Sequence, residues 1–104
     1  MSITNIKSLA EYHRIIDEST TLVIVRIFAH WCGACRRSSD AFEKLVKRWI
    51  GRVDFYQLNA DDARPSDLAT IPAHIFARKG KRVGTVCSSD IADLELYVRF
   101  NVDG

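Results

Sequence analysis

Cys32 and Cys35 are the residues in this 104-residue chain best suited to do chemistry. They form a single C-x-x-C. Two intervening residues and one helical turn bring the second sulfur within disulfide reach of the first. Such a pair can divide thiol–disulfide exchange between an attacking thiolate and a resolving one. In a chain without secretory features, the same spacing also fits half of a metal site. Structural zinc usually takes four ligands, so Cys87, His30 or His74 would have to converge on the pair. Cys87 makes the cysteine count odd, which fits a disulfide scaffold poorly.

The pair must be held by what flanks it. Thr21 to Phe28 (TLVIVRIF) is a β-branched run without polar alternation, the pattern of a strand buried on both faces. Ala34 to Ile50 reads as a helix whose apolar stripe is Phe42, Leu45, Val46, Trp49 and Ile50, with Gly51 ending it. Cys32 therefore falls at a helix N-terminus. Free N–H groups and the positive end of the macrodipole favour negative charge there, which makes Cys32 the nucleophile and Cys35 the resolving thiol.

The remaining segments supply a scaffold. Asn5 to Ile16 reads as a helix, with Ser8 and Glu11 as its capping box. Val53 to Ala60 reads as a strand, and Asp61 to Ala69 as turns with one short helical turn. Pro72 to Arg78 and Arg82 to Cys87 read as an antiparallel pair joined at Gly80. Ser88 to Asp90 is a loop and cap signal, and Ile91 to Phe100 a final helix. The order α-β-α-β-α-β-β-α implies an α/β domain spanning residues 1–104. Its central sheet is mixed but mostly parallel, with helices on both faces.

Composition narrows the function classes. Apolar residues are 47% of the chain and charged residues 27%, ordinary globular values that exclude disordered and low-complexity classes. Fifteen basic against thirteen acidic residues leave a net charge of +2, too small an excess to call for nucleic acid. The basic pairs, such as Arg36–Arg37 and Lys81–Arg82, read as solvated surface. No apolar run is long enough for a transmembrane helix. The first twenty residues lack the apolar core of a secretory signal. The expectation is a cytoplasmic protein without a membrane partner. No G-x-G-x-x-G or P-loop occurs, so no cofactor is expected.

With these elements in place, Ala29-His30-Trp31-Cys32-Gly33-Ala34-Cys35 resembles the W-C-G-P-C active-site segment of the thioredoxin family. Gln57 to Asp61 resembles the family's next strand. Thr70-Ile71-Pro72 resembles its cis-proline signature, and Phe76 to Lys81 its hairpin. The resemblance covers nearly the whole chain and implies a thioredoxin fold. It implies a cis bond before Pro72 facing the sulfurs, against an ordinary trans proline at a strand entry. It also implies a docking face formed by Trp31, Gly33, Ala34, Ile71 and Pro72. Trp49, on the helix stripe, reads instead as a core residue. The implied partners are disulfide-containing proteins and, for turnover as a reductase, an NADPH-dependent flavoprotein reductase. A monomer is expected.

The chain departs from the family at several positions. Ala34 replaces the usual proline of the motif, and Asp40 replaces a helix-kinking proline, where it could pair with Arg36. The loop before Pro72 is shorter than usual in the family, and the Cys87-Ser88-Ser89 loop lacks its glycine. Arg26 falls on the family's buried aspartate, which handles the proton of the resolving cysteine. Gln57 falls on that aspartate's lysine partner. Arg26 has two readings. Its guanidinium either remains near Cys35, favouring the thiolate and a more oxidising disulfide, or extends to a surface carboxylate such as Asp40 or Asp61. His30 reads as a surface residue or as an electrostatic neighbour of Cys32. His74 reads as structural or partly exposed. Cys87 reads as a small buried hydrophobe, or as a third redox thiol.

The leading expectation is a thiol–disulfide oxidoreductase acting on proteins, most readily as a reductase. The alternative is a binding or assembly module that keeps the fold but has little redox turnover.

Overall fold

The computed structural model describes residues 3–68 and 70–102. Ala69 and both ends of the 1–104 span lie outside the described residues. The elements are β1 (Ile3–Ile6), α1 (Leu9–Asp17), β2 (Val23–Phe28), α2 (Gly33–Trp49), β3 (Asp54–Asn59), β4 (Ala73–Arg78), β5 (Lys81–Val86) and α3 (Ile91–Val102). The five strands form one sheet in the order β1-β3-β2-β4-β5. β1, β3 and β2 pair in parallel, β4 runs antiparallel to β2, and β5 runs antiparallel to β4. The sheet is mixed, and four of its five strands share one direction.

Two elements differ from the expectation. Ile3–Ile6 is an edge strand, so Asn5 and Ile6, expected in the first helix, belong to β1, and the helix starts at Leu9. No helix forms between Asn59 and Ala73 among the described residues; the Asn59 carbonyl accepts from the Asp62 and Ala63 N–H groups in a single turn. The Ser8 half of the capping box forms, its hydroxyl accepting from the Glu11 N–H, while the Glu11 carboxylate accepts from the Lys7 N–H, one residue before the cap.

Strand periodicity divides the core. Val23, Val25 and Ile27 of β2 face the side covered by α1, where Tyr12 and Ile16 meet Ile75 and Ala77. Ile24 faces the other side, where α2 and α3 supply Phe42, Leu45, Trp49, Leu94 and Val98. Arg26 shares the Ile24 parity. It therefore points at α2 from the centre of the sheet, in a row otherwise apolar.

The hairpin between β4 and β5 turns on Lys79 and Gly80, at φ +53° and +79°. Two successive positive φ values match the strand twist of a two-residue turn. Gly51, at φ +89°, closes the end of α2.

Candidate active site

β2 ends at Phe28, and Cys32 is the N-cap of α2. Its backbone is extended, and its sulfur accepts from the Cys35 N–H at 3.1 Å. The helix start therefore fixes the distance between the two cysteines. Both are buried, at 7% and 3% exposure, in a small cluster with Ala29, beside Ala34 and Ile71. They are not joined in a disulfide.

Burial, above all, pushes the Cys35 thiol above the ordinary thiol range. Its hydrogen bond with Cys32 adds to this, while an Ala29 backbone bond and the Arg26 charge oppose it. Cys35 is therefore protonated near neutrality. The Arg26 charge favours the Cys35 thiolate, in the direction expected of a guanidinium near it, but burial outweighs it.

The Ile71–Pro72 bond is cis, as the resemblance implies. The Cys32 thiol lies 3.8 Å from the Ile71 carbonyl, which it can use as an acceptor. Trp31 is 62% exposed beside Cys32, and Gly33 and Ala34 are half-buried. The Trp31 indole N–H donates to the Asp61 carboxylate. Asp61 is a partner that sequence reasoning assigned elsewhere. Trp49 is in the core, as expected.

Arg26 reaches neither Asp40 nor Asp61. It is 96% buried, as its 4% exposure states, directly behind Cys35. Nη2 donates to the Cys35 carbonyl and to the Ser38 hydroxyl, both at 3.0 Å. Nη1 lies 2.9 Å from His74 Nε2, and the guanidinium sits over the Phe42 ring at 4.7 Å. Ser38 escaped sequence analysis, although it lies one turn beyond Cys35 on the face that continues to Phe42.

His74 is fully buried rather than partly exposed. Since arginine can only donate, its Nε2 accepts, so the proton is on Nδ1, which donates to the Val86 carbonyl at 3.1 Å. Burial first, and then the Arg26 charge, lower its pKa to about 3.

Gln57 sits beside Arg26 in the parallel register and donates to Asn5. Asn5, Gln57, Arg26 and His74 thus form a polar row across the sheet. A cavity of about 230 Å³ adjoins the row, lined by Arg26, His30, Cys35, Arg36, Glu43 and Gln57 among others. His30 is exposed, its ring edge-on to Phe28. Arg36 donates to the His30 carbonyl at 2.7 Å, reaching back rather than forward to Asp40.

Cys87 is exposed just after β5, not a buried hydrophobe. Among the described residues, no group of three or more His, Cys, Asp or Glu side chains could hold a metal ion. No helix among them is long and apolar enough to cross a membrane.

A family model described as Thioredoxin matches residues 3–98. Thioredoxin-2 of Saccharomyces cerevisiae is 30% identical over 104 residues, covering 96% of this chain and 99% of that protein. A peptide-N(4)-(N-acetyl-beta-glucosaminyl)asparagine amidase of Caenorhabditis elegans is 33% identical over 92 residues, which is 83% of this chain but 15% of that protein. The crystal structure of thioredoxin from Trypanosoma brucei brucei superposes with a TM-score of 0.89 at 23% identity, covering 99% of this chain and 93% of that one. The chain belongs to the thioredoxin family of thiol–disulfide oxidoreductases.

Proposed function

We propose that this member of the thioredoxin family reduces disulfides in other proteins, with Cys32 as nucleophile and Cys35 as resolving thiol. The observation that carries the reading is the capping geometry: the Cys32 sulfur lies at the N-terminus of α2, 3.1 Å from the Cys35 N–H. Negative charge on that sulfur faces a backbone donor and the positive end of the helix.

The steps balance as two exchanges. Cys32 thiolate attacks a substrate disulfide; one substrate sulfur leaves as a thiolate and takes up a proton. Cys35, deprotonated, then attacks the Cys32 sulfur of the mixed disulfide. The Cys32–Cys35 bond forms, and the second substrate sulfur leaves. The substrate gains two electrons and two protons, and the protein is left oxidised. An external dithiol reductant restores it, which in this reading is an NADPH-dependent flavoprotein reductase. The Trp31 face and the Ile71 carbonyl beside Pro72 receive an extended substrate chain, with Gly33 and Ala34 bordering it. We read the protein as one monomeric, cytoplasmic domain.

Insulin reduction driven by dithiothreitol tests the reading. Wild type is expected to accelerate it and Cys32→Ser to abolish the acceleration. Cys35→Ser is expected to accumulate a mixed disulfide through Cys32, visible as a mass adduct. Wild-type turnover no faster than dithiothreitol alone, with no adduct on Cys35→Ser, would overturn it in favour of a binding module.

A further inference from the structure

The resolving step needs a proton removed from a buried thiol, yet among the described residues no carboxylate is bonded to any group behind Cys35. The charged or titratable groups packed there are Arg26 from β2, His74 from β4, and Cys32 and Arg36 from the start of α2, with His30 and Glu43 also lining the cavity. His74 cannot take the proton. Its Nε2 lone pair is occupied by Arg26, and its Nδ1 already carries hydrogen. Glu43 and His30 line the cavity, but neither is hydrogen-bonded to Cys35 or to the Arg26 guanidinium, so the charge fixed against Cys35 is that of Arg26. Every partner of the Arg26 guanidinium is neutral: an imidazole, a carbonyl, a hydroxyl and an aromatic face. A buried cation compensated only by dipoles is stabilised when an anion forms close by.

We infer that Arg26, held in place by His74 and Ser38, is a positioning residue for the resolving step: its uncompensated charge is the counter-ion of the Cys35 thiolate as that thiolate forms. The Cys35 proton passes to solvent through the cavity, Cys35 attacks the Cys32 sulfur, and the substrate sulfur leaves with the electron pair. In the reverse direction, Arg26 stabilises Cys35 as the leaving thiolate. This rests on the oxidoreductase reading and adds how the second exchange is driven. The charge opposes burial without overcoming it, so the effect belongs to the rate of resolution at neutral pH. It reaches the redox equilibrium only where Cys35 ionises.

The magnitude follows from thiol reactivity. Above the working pH, each unit of upward shift in a thiol's pKa lowers its thiolate fraction tenfold. Nucleophilicity rises by roughly threefold over the same unit, from a Brønsted slope of about 0.4–0.5. Resolution should therefore slow by roughly threefold per unit.

The test compares wild type, Arg26→Met, Arg26→Gln and Arg26→Lys. The Cys35 titration is read by carbon-13 NMR of its Cβ, and the lifetime of a preformed Cys32–glutathione mixed disulfide by stopped flow. The neutral variants are expected to raise the Cys35 pKa and lengthen the lifetime together, about threefold per unit. Arg26→Lys, which keeps the charge, is expected to stay within about twofold of wild type. A folded neutral variant with an unchanged titration and lifetime overturns the inference, as does unfolding of both neutral variants, which would make Arg26 a structural residue. Failure of the oxidoreductase reading is distinguishable, because wild type itself would then form no mixed disulfide.

Discussion

The indole N–H of Trp31 is shared between the two carboxylate oxygens of Asp61, at 3.0 and 3.2 Å. This bond ties the segment before Cys32 to the loop after β3. Trp31 would otherwise be a free, 62% exposed ring. Holding it reduces the conformational entropy that substrate docking must remove.

Asp61→Ala should therefore weaken substrate binding without touching the chemistry. The expected outcome is a several-fold rise in KM for a protein disulfide with kcat nearly unchanged. Because both partners are exposed, stability should change by less than about 1 kcal/mol. In a Trp49→Phe background, indole emission reports the released ring. Unchanged KM and emission would detach Asp61 from the docking face.

His74 gives the fold a specific acid sensitivity. Its pKa is held at about 3 in the folded protein, against about 6.5 in an unfolded chain. Between those values the unfolded state binds the extra proton, so stability falls as pH falls. From pH 6.5 to 5 the loss is about 1.6 kcal/mol. His74→Gln offers Arg26 an acceptor that does not titrate there. Urea midpoints at both pH values should drop for wild type and stay nearly level for the variant.

Glu95 fastens α3 to α2. It accepts from Arg48 at 2.5 Å, from the Trp49 indole at 3.3 Å and from Arg99 at 3.2 Å. The Arg48 bond, above all, holds its carboxyl below the usual range, against some burial. That stability is present above the unfolded carboxyl pKa of about 4.3 and is lost as pH falls through the folded value. Glu95→Gln should cost about 1 kcal/mol at pH 7, in urea melts. The gap between the variant and wild type should shrink below about pH 4.

The β4–β5 turn separates two neighbouring residues by sign. At Gly80 a Cβ would lie 3.2 Å from the Asp17 carbonyl at φ +79°, so Gly80→Ala should cost about 1–2 kcal/mol. At Lys79, already strained at φ +53°, Lys79→Gly should be neutral or gain up to about 1 kcal/mol. Thermal melts of the two variants check the pair.

What the sequence could reveal depended on how local the determinant was. The β2 run, the α2 stripe from Phe42 to Trp49, the Ser8 cap and the Gly80 turn each carry their own signal within a few residues and formed where expected, whereas Ile50, expected on the stripe, lies beyond the helix and is 59% exposed. β1 carries no such signal, because Ile3–Ile6 is four residues long and is a strand only through its pairing with β3. At the site, the cysteines and the Ile71–Pro72 segment were legible from spacing and resemblance. The surroundings of Arg26 were not. The resemblance put it on the family's buried aspartate, but its partner His74 lies 48 residues away and is found only through the β2–β4 register. Cys87 misled for the same reason. A cysteine at a strand end is commonly buried, and here nothing packs over it enough to cover it.

Cys32 begins the longest helix in the molecule with a sulfur where serine, threonine or aspartate would make the stronger cap. Selection for a firm fold and selection for exchange chemistry pull this one atom in opposite directions. An aspartate at position 32 should raise the urea midpoint by about 0.5–1 kcal/mol in stability while leaving no thiol to attack with. The chain keeps a weakly tied helix start so that the atom tying it can also react.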